Sequence, residues 1–250
     1  MQAYLTLTRR ELGSFFVSWI GYVVVAGSVF LMGLSFVSLV ATLQSEATSM
    51  PITEIFLDSY YFWLILLFSA PVITMRLFSV EKYSGTFETL MTTPVGDWQV
   101  VLAKFTAAMF FYAATWLPLL VFILVLRSFA SNAVMVDPGG IGSAFLGIFL
   151  IGTLYMAMGC FASSLTENQI VAAMISFAMG IGLFIVSFIS EELPLQKNWV
   201  TDLLAGISMK VHMQDFARGV VDTRYVVFYL TLSAFFLFLT HRVVESRRWK

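Results

Sequence analysis

Residues able to do chemistry are few in this chain, and their spacing rules out most of it. A disulfide or a thiolate metal cluster needs several cysteines, and Cys160 stands alone inside an apolar run. His212 and His241 lie far apart, without the spacing of a ligand pair. No nucleophile motif is present, and a phosphate-binding loop of the GxxxxGK[ST] type needs a Gly-Lys dipeptide that the chain lacks. No residue is assigned to catalysis or to a metal. If ATP drives this protein, another subunit must bind it, so no cofactor is expected here.

What remains is one polar stretch, Arg76 to Lys104 (RLFSVEKYSGTFETLMTTPVGDWQVVLAK), between two apolar runs of membrane length. Arg76, Glu81, Lys82, Glu88 and Lys104 are able to pair with one another. Gly85 and Pro94 bracket TFETLMTT, and Asp97 is placed to cap the helix that follows. TFETLMTT is long enough for about two helical turns, and a helix that short is unstable in water unless it packs on something. The available surfaces are the protein's own end, the lipid headgroups, or a groove on a soluble partner.

The elements that position this stretch are set by composition. The 250 residues are 59% hydrophobic and 12% charged, with a mean hydropathy of +0.88. Soluble domains average about 45–50% apolar and about 25% charged. The chain is therefore read as an all-α integral membrane protein. A net charge of −1 leaves no basic stripe for phosphates, which excludes a nucleic-acid partner.

A helix crosses about 30 Å of hydrocarbon with about 20 apolar residues. Six stretches qualify, at about 17–42, 58–78, 103–127, 142–164, 169–190 and 224–242, within a single transmembrane domain over 1–250. The first is too long for the apolar core of a cleaved signal peptide. Six crossings put both termini on one side. With that side inside, the inner segments hold Arg9, Arg10, Arg76, Lys82, Lys104, Arg242, Arg247, Arg248 and Lys250, nine of the fourteen basic residues. The positive-inside rule then predicts cytoplasmic termini and a multi-pass protein of the cell inner membrane.

The flanks are patterned too. Residues 2–16 place Leu5, Leu12, Phe15 and Phe16 on one helical face with Arg9, Arg10 and Glu11 opposite, which predicts an elbow helix lying in the inner headgroup layer. In the loop 191–223, Val200, Leu203, Leu204, Ile207 and Val211 follow the spacing of a helix with one apolar face, so a short outer helix is expected between spans five and six. Ala172, Ser176 and Gly180 recur every four residues, a close-packing face for a neighbouring helix or subunit. Pro71 and Pro118 are expected to kink the second and third spans.

The whole pattern resembles the membrane subunit (permease) of ABC transporters of the ABC-2 type. The most specific piece is E-x-x-x-G-T-x-E-x-L-x-x-x-P, here Glu81, Gly85, Thr86, Glu88, Leu90 and Pro94. Lys104 fits as well, as does DFARGVVDTR at 215–224 with Asp215, Arg218, Gly219 and Asp222. The short length and the ending HRVVESRRWK are most similar to the gliding-motility and nitrous-oxide-reductase copper-maturation permeases.

The resemblance implies a half-transporter with the type V exporter fold. Two copies or two paralogues would pair, and each would dock an ABC ATPase subunit that holds ATP and Mg. The segment 79–102 would carry the coupling helix, with Glu81 and Glu88 orienting it or meeting basic residues of the ATPase. Arg9, Arg10, Arg76 and Lys104 would line the inner face. Lipid and a periplasmic or accessory protein complete the expected partners. Two alternatives stay open: an ATP-independent channel or secondary transporter, disfavoured by the lack of ionisable residues at mid-span, and a non-transporting membrane scaffold. Neither cargo nor direction follows from the residues.

Overall fold

The structure, a computed structural model, describes residues 2–45, 51–91, 95–129, 138–192 and 206–246. Its helices are α1 (Gln2–Phe16), α2 (Trp19–Ser45), α3 (Ile52–Asp58), α4 (Tyr60–Thr74), α5 (Ser79–Tyr83), α6 (Thr86–Met91), α7 (Asp97–Phe129), α8 (Pro138–Leu165), α9 (Gln169–Glu192), α10 (Met209–Ala217) and α11 (Thr223–Ser246). No strand occurs among the described residues. Six segments are long and apolar enough to cross a membrane: Trp19–Gln44, Tyr60–Tyr83, Asp97–Ser128, Pro138–Leu165, Gln169–Phe188 and Thr223–Ser246. The chain is a multi-pass, all-α membrane protein.

Two of these segments form the centre and four surround them. The windows of Tyr60–Tyr83 and Pro138–Leu165 are 67% and 72% buried, against 22–33% for the others. In a bilayer, helices gain nothing from hiding apolar area, so close approach depends on small residues. On α8, a Cβ at Gly152 would lie 2.1 Å from the Tyr112 ring of α7, and one at Gly159 would lie 2.0 Å from Thr74 Oγ1 of α4. On α9, Ala172, Ser176 and Gly180 are all buried within the chain, and the Tyr155 hydroxyl of α8 donates to the Gly180 carbonyl at 3.0 Å. That small-residue face serves intrachain packing. The outer faces of α2, α7, α9 and α11 expose Phe30, Val37, Leu124, Met174 and Phe235, as lipid-facing helices do.

Both ends of the described chain meet at one end of the bundle, termed the elbow end. There the Tyr4 hydroxyl of α1 hydrogen-bonds Thr106 of α7 at 2.8 Å, and Trp98 of α7 stacks on His241 of α11 at 4.3 Å. The helix is interrupted between α1 and α2 at Val17 and Ser18, where the Phe15 carbonyl presses on Gly21. A Cβ there would sit 2.1 Å from that oxygen, so only glycine fits.

Three details of the sequence reading change. In α1 the face turned to the bundle is Leu7, Thr8, Glu11 and Phe15, whereas Leu5 and Phe16 are exposed. Glu11 therefore points inward, away from Arg9, because Lys104 lies beneath it. Asp97 is the first residue of α7 and not its cap: the Gly96 carbonyl receives the Gln99 and Val100 amides, and the carboxylate sits in the first turn, where the helix dipole favours it. In the loop after α9, Val200, Leu203 and Leu204 lie outside the described residues, and the helix described there is α10, following Ser208.

Candidate functional site

Charged residues scattered through the sequence converge at the elbow end. Lys104 sits about two turns into α7, on the buried face it shares with Val100, Val101, Ala107 and Ala108, and is 1% exposed. A buried ammonium needs counter-charge. Its Nζ lies 2.9 Å from Glu81 Oε1 of α5 and 3.2 Å from Glu11 Oε1 of α1, 5.5 Å from the centre of the Phe78 ring. Arg10 donates to the same two oxygens, at 2.6 Å to Glu11 and 3.0 Å to Glu81. The Arg10 guanidinium is held above its ordinary pKa, first by the Glu11 hydrogen bond. Two cations and two anions balance, and together they bind the elbow helix, α5 and α7 into one junction.

A second set of contacts ties α5 to the end of α8. The Ser163 hydroxyl accepts the Phe78 and Ser79 amides at 3.0 and 3.2 Å and donates to the Met75 carbonyl at 3.0 Å. The turn between α4 and α5 thus recovers hydrogen bonds that the broken helix leaves open. Lys82 Nζ donates to the Ser164 carbonyl in the last turn of α8, where the helix dipole favours a cation. The same ammonium stands over the Phe87 ring at 5.6 Å.

Between α5 and α6 the chain turns at Gly85, whose φ of 71° is the left-handed conformation that glycine adopts without strain. α6 then runs six residues, too short to stand alone, and the buried Phe87 side chain anchors it. Tyr83, Ser84, Gly85, Thr86 and Glu88 are exposed beside it. Glu88 has no ion pair among the described residues. Pro94 and the Leu90 side chain lie outside what is described.

The structure thus divides the residues of the polar stretch. Glu81 and Lys104 join the junction with Arg10; Glu88, Thr86 and Gly85 face outward; Arg9 is exposed; Arg76 pairs with none of them but donates to Ser18 Oγ at 2.6 Å. Glu11, Ser163 and Ser164 were missed in the sequence as members of this site. The signal available for Glu11 was an acid on the protein side of an amphipathic helix; the serines carried none.

At the opposite end, DFARGVVDTR closes α10 and opens α11. The Asp215 carboxylate accepts the Tyr225 hydroxyl at 2.7 Å, and Asp222 accepts the Arg224 amide at 2.8 Å. Gly219 takes a φ of 86° to turn the chain. Arg218 reaches Glu54 of α3 through Nε at 3.0 Å and Nη2 at 2.5 Å, and that hydrogen bond holds its pKa above the ordinary value. His212 of α10 is buried, stacked 3.9 Å from Tyr225, with Nδ1 3.2 Å from the Tyr229 hydroxyl. Burial pushes its pKa down to about 4, against the opposing pull of Asp215. Helix α10 seats on α8 where Phe216 and Met213 meet Gly147, and Ser143 donates to the Phe216 carbonyl at 2.6 Å. Glu54 and α3 were not legible beforehand. Asp215, Arg218 and Asp222 are each paired internally, as in a structural cap. No grouping of three His, Cys, Asp or Glu side chains able to hold a metal occurs among the described residues.

What decides the family is the match of its sequence profile: residues 46–239, well over half of the chain, match the model described as "ABC-2 family transporter protein". The chain belongs to the ABC-2 family of transporters. It is a transmembrane subunit of an ABC transporter, the transport component and not itself an enzyme, and the family implies an ABC ATPase subunit as its partner. None of the curated proteins compared matches this ABC-2 chain. The matched region runs from just after α2 through most of α11 and includes α5, α6 and α10, with α1 and α2 ahead of it.

Proposed function

We propose that α6 is the coupling helix of this ABC-2 subunit and that the Arg10–Glu11–Glu81–Lys104 junction passes its displacement to the spans. The observation that carries this reading is the division of labour along α5 and α6. Glu81, Lys82 and Phe87 are spent on contacts with α1, α7, α8 and each other, while Tyr83, Ser84, Thr86 and Glu88 stay exposed on the other side. A short helix held rigidly from behind and bare in front suits docking into a groove of a soluble subunit.

In this reading the ATPase holds ATP and Mg, and the elbow end lies in the cytoplasm of a cell inner membrane. Two permease chains, identical or paralogous, face each other with one ATPase each. ATP closes the ATPase pair, and the pair's higher affinity for one arrangement of the coupling helices biases the spans toward it. Export is the direction the proposal assigns, whether the spans form the path for cargo or act as a mechanical transmitter to a periplasmic protein. Resemblance to the gliding-motility and copper-maturation permeases belongs to the same proposal.

The test is Glu88→Lys in the permease–ATPase complex. ATPase activity should no longer be stimulated by the permease, while the melting temperature of the permease stays unchanged because Glu88 touches nothing behind it. Stimulation at the wild-type level would sink the coupling assignment.

A further inference from the structure

We propose that the elbow end carries a binding site for the phosphate of an anionic phospholipid, built on Arg76 and Ser18. The inference stands apart from the coupling reading. Arg76 follows α4 and is half-buried, yet among the described residues no carboxylate lies within ion-pair distance of it. Among the described residues its one hydrogen bond is from Nη1 to the Ser18 hydroxyl at 2.6 Å. A guanidinium carries five N–H donors in a fixed fork, matched to two oxygens of one phosphate.

The contrast with its neighbours is informative. Arg10 and Lys104 are paired with Glu11 and Glu81, and Lys82 is held by the end of α8 and the Phe87 ring. Among the described residues, Arg76 is a guanidinium that the bundle partly encloses without an ion pair. Charged groups at membrane depth are costly unless something offsets the charge.

The surroundings say what supplies it. Ser18 lies in the break between α1 and α2, and around it Val17, Trp19 and Tyr22 are 81%, 86% and 62% exposed. Large apolar and aromatic side chains that bare mark the level where hydrocarbon meets headgroups, since Trp and Tyr collect there. Arg76 therefore faces the height of lipid phosphates and not bulk water. The start of α2 at Trp19 adds the positive end of a 27-residue helix beside the same serine. A zwitterionic lipid would bring an ammonium with its phosphate, and among the described residues no carboxylate pairs with Arg76 to receive it. Exposed Arg9, midway along α1, adds another positive charge at the elbow end. Both features favour a lipid of net negative charge.

The experiment uses the purified full chain in mild detergent, titrated with phosphatidylglycerol, phosphatidylcholine or inorganic phosphate. Retained lipid is read by native mass spectrometry and the melting temperature by intrinsic tryptophan fluorescence. Phosphatidylglycerol should be retained and raise the melting temperature, and phosphatidylcholine should do so much less. R76Q should weaken retention by about fivefold or more, the worth of one arginine at a lipid surface. S18A should weaken it less, and R9Q least. Equal retention of the two lipids, or unchanged phosphatidylglycerol retention in R76Q, overturns the proposal. Equal stabilisation by inorganic phosphate also overturns it, assigning the site to a soluble anion. If R76Q fails to purify, S18A decides: it keeps the arginine, and unchanged retention in it counts against the site.

Discussion

Removing Lys104 should show that the junction behind α5 and α6 acts as one unit. Lys104 Nζ is 2.9 Å from Glu81 and 3.2 Å from Glu11 and almost fully buried. At an effective dielectric of about 20, each contact is worth roughly 5 kcal/mol before desolvation is subtracted. Most of that gain is offset by desolvation, but deleting one partner strands the others, at about 3–5 kcal/mol. Lys104→Met leaves two carboxylates with Arg10 alone and should cost in that range. Glu81→Gln should cost less, about 1–2 kcal/mol, because Glu11 still bridges Lys104 and Arg10. The double variant retains Arg10 and Glu11, a balanced pair, so its cost should fall short of the sum by about 1.5–3 kcal/mol. Equilibrium unfolding of the purified chain in mixed micelles, fitted for all four members of the cycle, measures this. If the two costs add within about 0.5 kcal/mol, or Lys104→Met costs less than about 1 kcal/mol, the junction is not a coupled unit and the reasoning fails.

Further outcomes follow from single contacts. Gly85→Ala forces a side chain into a left-handed turn and should cost about 1 kcal/mol, with a larger loss of ATPase stimulation than of melting temperature. Gly159→Ala places a Cβ on Thr74 at the most crowded contact of α8 with α4 and should cost about 1–3 kcal/mol, read by the same unfolding assay. His212 is depressed to about 4 in the folded chain against an ordinary 6.5, so the unfolded chain takes up the proton first. Stability should be complete above about pH 6.5 and fall as pH drops toward 4, by on the order of 2 kcal/mol, and His212→Gln should flatten that profile in a melting-temperature scan.

How much was readable varies with the range of the interaction involved. The spans were legible because a bilayer imposes length and apolarity on each helix separately, so runs such as that between Pro138 and Leu165 declare themselves residue by residue. Gly85 was legible as a break because its backbone requirement is local. Glu11 was misplaced on the solvated side of α1, since periodicity reports two faces without saying that Lys104 waits under one of them. Helix α3 and its Glu54 escaped notice for a related reason: seven residues hold no amphipathic signal, and the carboxylate is explained only by Arg218, 164 positions away in sequence.

Composition and local pattern alone thus determined a six-span, all-α membrane protein, without a phosphate loop, with a charge-bearing stretch between spans two and three. Tertiary structure decided what that content does. Whether Glu81 faces a partner or the bundle depends on how α1, α5 and α7 pack, and packing turned it to Arg10 and Lys104. It likewise sent Lys82 to α8 and left Arg76 with a serine. The physical reason is that lipid tests each helix for apolarity one at a time. An ion pair tests the arrangement of several helices at once, and that arrangement is set by small residues and buried contacts far from the charges themselves.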